Sequence, residues 1–251
     1  MENRDQITSL VSRLAEAEKI AVLTGAGISA ESGIPIFRGA EGLWKKYRAE
    51  ELATPSAFER DPRLVWEWYD WRRGIIGGKK PHKGHEVLAS WERLFPHFHI
   101  ITQNVDGFHS LAGSNDVLEL HGNIWKMRCT REGTVSDNNT TPLEKIPPLC
   151  PDCGALLRPH IVWFGESLDM GILDQAFRCS STCDAMFIIG TSAVVQPAAS
   201  LPMSAMENSA LTVEINPDPT PISGHVDFSL RGKAGDILPR LDAALLREMT
   251  G

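Results

Sequence analysis

The 251-residue chain has no surplus of positive charge, few cysteines and no long apolar run, and each shortage removes a class of function. Lysine and arginine number 25 against 32 acidic residues, a net charge of −7, so the balance offers no nucleic-acid or anionic-membrane surface. No apolar stretch approaches the roughly twenty residues that span a bilayer. The opening Met1-Glu2-Asn3-Arg4-Asp5 lacks a basic region followed by an apolar block, so no secretory signal is expected and a cytoplasmic location is. There the five cysteines (129, 150, 153, 179 and 183) read as metal ligands or core residues rather than disulfides.

What is present is an ordinary globular composition, 42% apolar and 23% charged, in a length that suits one large domain carrying a smaller insert. Ile7, Leu10, Val11 and Leu14 fall at helical spacing within residues 5–18. Short apolar runs at 20–23, 99–102, 117–120, 186–189 and 211–215 alternate with helical patterns. That rhythm predicts an α/β fold with a Rossmann-like, doubly wound parallel sheet, closed by a helix over 235–248. Two stretches break it: residues 40–95, rich in Trp, Arg and Pro, and residues 124–165, with three cysteines and a polar segment over 131–141. The expected division is a Rossmann-like domain of 1–39, 96–123 and 166–251. A small domain of 40–95 and 124–165 would combine a helical module with a zinc-ribbon-like one.

The strand at 20–23 runs into Gly25-Ala26-Gly27-Ile28-Ser29-Ala30-Glu31-Ser32-Gly33, a turn whose glycines would let backbone approach a diphosphate. The same turn reads equally as tight packing of small residues. Its third glycine lies six residues after the second rather than three, which argues against an ordinary dehydrogenase. Gln103, Asn104 and Asp106 lie just past a strand end, where open α/β sheets bind ligands, or else form a polar turn. His121 follows another apolar run, and the residue after it, Gly122, is expected to leave room for a ligand. A base working near neutral pH is most simply a histidine.

The segment 25–40, ending Pro35-Ile36-Phe37-Arg38-Gly39-Ala40, resembles the NAD-binding signature of the sirtuins. Thr102-Gln103-Asn104-Val105-Asp106-Gly107-Phe108-His109 resembles their second signature and Leu120-His121-Gly122 their catalytic-histidine segment. Gly190-Thr191-Ser192 and Glu214-Ile215-Asn216 resemble two later NAD contacts. The order and spacing match over nearly the whole chain. The resemblance implies NAD as co-substrate, bound by Gly25, Ala26, Gly27, Ser29, Ala30, Glu31, Ile34, Phe37, Arg38, Trp44, Gln103, Asn104, Val105, Asp106, Gly190, Thr191, Ser192, Asn216, Pro217, Asp218 and Ala234. Asn104 and Asp106 would hold the nicotinamide carboxamide. It implies that an acyl-lysine carbonyl oxygen attacks the ribose C1′ as nicotinamide leaves. His121 then helps deprotonate a ribose hydroxyl, with Asn104 supporting the chemistry, and free lysine and O-acyl-ADP-ribose result. No Ser or Cys nucleophile is needed. Acyl-lysine proteins or peptides would be the partners, held by Val162, Phe164, Gly165 and Glu166.

Tyr69 and Arg72 stand three apart on a predicted helix, so they share a face and can grip a carboxylate. By spacing alone the favoured reading is that Tyr69 packs in a Trp-rich cluster while Arg72 and Arg73 are solvated. Tyr69-x-x-Arg72, Ala40 and Gly190-Thr-Ser-x-Val-Val-Gln-Pro197 resemble the class III sirtuins, members of which remove succinyl and malonyl groups as well as acetyl. Cys150-Pro-Asp-Cys153 is half of a structural zinc knuckle. The family's other half is also Cys-x-x-Cys, whereas here Cys129 is followed three residues on by Glu132. Glu132 completes a mixed site, or water or another side chain does, or the metal is lost. Zinc of weakened affinity is the expectation. Cys179 and Cys183 read as core. Mono-ADP-ribosyl transfer and a non-catalytic NAD or ADP-ribose binding module are the rival readings.

Overall fold

The computed structural model describes residues 2–35 and 48–250. Strands β1 (Lys19–Thr24), β2 (His97–Thr102), β3 (Val117–Glu119), β7 (Ala185–Ile189), β8 (Leu211–Asn216) and β9 (Phe228–Arg231) form one parallel sheet in the order β3-β2-β1-β7-β8-β9. Both faces of the central strands are covered, which is why they read as unbroken apolar runs. Ile20 and Val22 of β1 enter a core with α1 (Glu2–Leu14), α6 (Lys83–Leu94) and α10 (Ala234–Thr250). Ala21 and Leu23 enter the opposite core with α8 (Met170–Thr182) and α9 (Leu201–Glu207). The expected strands are all present, β2 starting two residues earlier and β3 ending one earlier.

From β1 the chain moves to β2 and β3 on one side, then returns to β7 on the other. The carboxyl ends of β1 and β7 therefore flank the point where winding reverses, the usual ligand crevice of such sheets.

A second core holds the small lobe: α3 (Ala49–Leu52), α4 (Pro55–Arg60) and α5 (Pro62–Gly77) against β4 (Gly122–Cys129) and β6 (Leu157–Ile161). With β5 (Val135–Asp137) these strands make an antiparallel sheet of order β5-β4-β6. Asp61 starts α5 by accepting the Leu64 N–H at 3.0 Å, with Pro62 in the first turn where its missing N–H costs nothing. One expected boundary is corrected. Helix α6, placed in the small domain from sequence, packs Val87, Leu88 and Trp91 into the large core, and the Trp91 indole N–H donates to Asp242 at 2.9 Å. Its apolar face fits the sheet, not the small lobe. No helix among the described residues is long and apolar enough to cross a membrane.

Candidate active site at the sheet switch point

Gly25 N–H donates to Ile189 O (3.0 Å) and Gly27 N–H to Gly190 O (2.7 Å), so the first βα turn lies directly against the end of β7. A Cβ on Gly27 would fall 2.7 Å from Gly190 Cα, and one on Gly190, whose φ is +58°, 2.5 Å from the Ile28 nitrogen. Backbone-to-backbone packing alone thus demands these glycines, besides any approach of a diphosphate. The turn leads into α2 (Ala26–Ala30), on which Ser29 is buried.

Ser29 joins the turn to the loop after β2. Its hydroxyl donates to Asp106 Oδ2 at 2.6 Å and accepts from Asn104 Nδ2 at 3.0 Å; the same amide nitrogen donates to Gly25 O at 3.0 Å. Asp106 Oδ1 accepts the Phe108 N–H at 2.9 Å. Burial pushes the Asp106 carboxyl up, against the pull of Ser29, the Phe108 amide and the Arg72 charge. Gln103 Nε2 donates to Thr191 Oγ1 (2.9 Å), and Asn216 Nδ2 to Thr191 O (2.9 Å). The residues expected at the nicotinamide and adenosine ends therefore form one hydrogen-bonded rim across β2, β1, β7 and β8. Ser192, Pro217 and Asp218 are exposed beside it.

His121 Nδ1 lies 2.9 Å from Gln103 O. A carbonyl only accepts, so Nδ1 carries the proton and Nε2 keeps its lone pair. Burial lowers the pKa of the ring, although the Gln103 contact opposes it. The imidazole is therefore a neutral base at neutral pH.

Several expected contacts are otherwise engaged. Glu31 accepts the Ala234 and Gly235 N–H groups at 2.7 and 2.9 Å, capping α10, so both Glu31 and the Ala234 amide are committed within the protein. Glu166 binds Arg158 at 2.6 and 2.8 Å and the Trp163 N–H at 2.8 Å, shaping residues 162–166 from within. Ile34 is buried in the small-lobe core. Gly122 does not make room for a ligand: it pairs with Ile161 of β6, and a Cβ there would lie 2.2 Å from His160 O. Phe37, Arg38, Ala40 and Trp44 lie outside the described residues.

Val162 N–H donates to His121 O (3.0 Å), Phe164 N–H to Ala53 O (2.9 Å), and the Phe164 side chain is 49% exposed, with Gly165 exposed beside it. Tyr69 is buried, and its hydroxyl accepts the Trp163 indole N–H at 2.8 Å, which leaves its own proton to donate. Arg72 reaches over the Trp68 ring at 5.6 Å. Burial lowers the guanidinium pKa, while Tyr69 and Asp106 are near enough to raise it. Tyr69 packs among tryptophans, but the arginines are not solvated: Arg73 is fully buried and Arg72 partly so.

Sequence reasoning does not single out the layer beneath the rim. Thr24 Oγ1 donates to Thr102 Oγ1 (2.9 Å), which also accepts the Asn104 N–H (3.1 Å), and His109 Nε2 lies 2.9 Å from Thr24 Oγ1. Burial lowers His85 and His109 to about 2 and about 4, so both rings stay neutral beside the site. Hydroxyls at the ends of two adjacent predicted strands are the only sequence sign of this layer.

In the small lobe, ligand atoms of Cys129, Glu132, Cys150 and Cys153 all lie within 4.8 Å of one another. Cys129 and Cys153 Sγ are 3.5 Å apart, too far for a disulfide and close to the roughly 3.8 Å edge of a tetrahedron with Zn–S bonds of about 2.3 Å. The donor set fits a structural zinc ion, with a Glu132 oxygen as fourth ligand. Glu132→Cys should then hold zinc more tightly, read as a higher chelator concentration needed to strip the ion and unfold the lobe. Equal stripping of parent and variant would remove Glu132 from the ligand set.

Residues 25–197 match the sequence model of the Sir2 family. The NAD-dependent protein deacylase of Aquifex aeolicus is 54% identical over 222 residues, covering 88% of this chain and 93% of that protein. NAD-dependent protein deacylase 1 of Archaeoglobus fulgidus is 50% identical over 237 residues, covering 92% and 95%. Among solved structures, a Sir2 homolog–NAD complex superposes with a TM-score of 0.90 at 47% identity, covering 96% of this chain and 94% of that one. A mutant Sir2 homologue bound to 2′-O-acetyl ADP ribose does so with 0.89 at 47% identity, covering 97% and 98%. The matched stretch takes in the glycine turn, Asn104, Asp106, His121 and Thr191 together, and the chain belongs to the Sir2 family.

Proposed function

We propose that this NAD-dependent protein deacylase accepts lysines bearing succinyl and malonyl groups as well as acetyl. The observation that carries the reading is on α5, where the half-buried Arg72 cation stands one helical turn from Tyr69, whose hydroxyl accepts the Trp163 N–H and keeps its own proton to donate, and where the Arg72 charge also feels Asp106. A carboxylate leaving water for that place gains two charge-assisted hydrogen bonds where screening is weak. An acetyl group has nothing to offer there.

NAD, when bound, supplies an electrophilic ribose carbon and nicotinamide as leaving group. The chain's own residues do the rest. The turn from Gly25 to Ala30 receives the diphosphate; by the family resemblance Arg38 would clamp it, Phe37 would cap the reacting ribose and Trp44 is a further NAD contact. Asn104, Val105 and Asp106 hold the carboxamide end. Gln103, Thr191, Ser192, Asn216, Pro217 and Asp218 line the ribose and adenosine end. His121 takes a proton at Nε2 from a ribose hydroxyl. Val162, Phe164 and Gly165 receive the acyl-lysine peptide, with the Phe164 side chain and Gly165 exposed toward solvent.

Arg72→Met is the test. Losing hydrogen bonds to a charged group costs about 1.5–3 kcal/mol, so kcat/KM on a succinyl-lysine peptide should fall roughly 10- to 150-fold while acetyl-lysine turnover changes little. Equal losses on both peptides would sink the carboxylate grip.

A further inference from the structure

We propose that Arg73 is a positioning residue that ties the helix carrying Tyr69 and Arg72 to the turn carrying Asp106. Its neighbour Arg72 is half-buried over the Trp68 ring, but Arg73 is 0% exposed. Its Nε donates to Ile124 O (2.8 Å) and its Nη1 to Asn138 Oδ1 (3.0 Å), while Nη2 has no partner among the described residues. The guanidinium carbon lies 5.6 Å from the Trp66 ring and 5.7 Å from the Trp125 ring. Among the described residues it makes no salt bridge. Burial lowers its pKa to about 10, opposed by Asp70, so it remains charged at neutral pH.

Stability does not account for such a group. A buried cation with no carboxylate in ion-pair contact loses its hydration, and apolar side chains of similar volume commonly do as well or better. What Arg73 grips is more telling. It holds Ile124 by the carbonyl and Trp125 by the ring face. Those two residues in turn hold the loop expected to meet nicotinamide. Ile124 N–H donates to Val105 O (2.8 Å), and the Trp125 indole N–H donates to Asp106 O (2.8 Å). Two parallel ties thus run from α5 through β4 to consecutive residues of the loop. Tyr69 sits one turn before Arg73 on the same helix, so acyl recognition and the nicotinamide end share one anchor. An apolar residue at 73 would fill the space without fixing either tie.

The inference rests on the assignment of Asp106 to the nicotinamide end of NAD. The test uses the full chain as Arg73→Met, Arg73→Lys, Trp125→Phe and the Arg73→Met/Trp125→Phe double variant. KM for NAD and kcat are measured with a saturating acetyl-lysine peptide, and each protein is melted thermally. Misplacing a binding group by a fraction of an ångström from a distance costs roughly ten- to a hundredfold, and Arg73→Met should show this mainly as a raised KM for NAD. Arg73→Lys should recover part of it, and the double variant should be no worse than the worse single one. An unchanged KM in Arg73→Met overturns the proposal, as do additive effects. So does a loss that follows the drop in melting temperature alone and that lysine does not restore. If Arg73→Met does not fold, Arg73→Lys and Trp125→Phe decide: a parental KM for NAD in both overturns it. A parent without NAD-dependent turnover would instead sink the functional reading.

Discussion

Replacing His121 with alanine should cut deacylation by a factor on the order of 10² to 10⁴, the range that a positioned general base contributes, while the protein melts close to the parent temperature. The ring is well placed for this separation of effects. It is half-buried, its side-chain hydrogen bond among the described residues runs from Nδ1 to the Gln103 carbonyl, and the backbone carbonyl of His121 keeps its bond from Val162 N–H whatever the side chain. The pH dependence follows from the sign of the shift. Burial lowers the His121 pKa, so the unprotonated base exists above the folded value and is lost as pH falls through it. The acid limb of kcat/KM for the parent should therefore lie below the 6.5 or so of a free imidazole. In His121→Ala the residual rate should lose that limb. A variant retaining more than about a tenth of parental activity, or keeping the same acid limb, would mean that another group takes the proton.

The parts of this protein that could be read from sequence are those where one physical demand sets the residue. Ile20 to Leu23 serve two cores at once, so the run is apolar throughout and reads as a buried strand. His121, Asn104 and Asp106 are assembled from strand ends, and the order of the motifs foretells their proximity. Reading fails where one residue type answers several demands. Gly122 looks like space for a ligand because glycine is all that sequence shows; the structure puts a neighbouring carbonyl where its side chain would be. Glu31 and Glu166 sit in binding motifs, and their carboxylates also cap a helix and hold Arg158, a structural demand that the motif does not display. Adjacent Arg72 and Arg73 are identical letters on one helix, and a rotation of about 100° leaves one half-buried over Trp68 and sends the other into the core. Helix α6 shows the same limit at the level of domains, since its apolar face does not say which sheet or lobe it will cover.

Gly122→Ala should be the most damaging single-methyl change considered, lowering stability by about 3 kcal/mol, or roughly 6–12 °C in a chain of this size, with activity falling alongside. Two costs combine. The backbone at 122 has φ +79°, where a non-glycine residue is strained by about 1–2 kcal/mol. The new Cβ would also meet His160 O at 2.2 Å, His160 C at 3.0 Å and Ile161 Cα at 3.1 Å, all backbone atoms of β6 that can yield only if the strand moves. That strand leads straight into Val162, whose N–H holds the His121 carbonyl, so the displacement reaches the base. Gly133 provides the control: its φ is +72°, but nothing lies within 4 Å of its would-be Cβ. Gly133→Ala should pay only the conformational part and keep its turnover. The excess loss in Gly122→Ala then measures the clash between β4 and β6. Equal melting temperatures for the two variants would show that the close approach at His160 relaxes freely, and that His121 is held in place by something other than this strand pair.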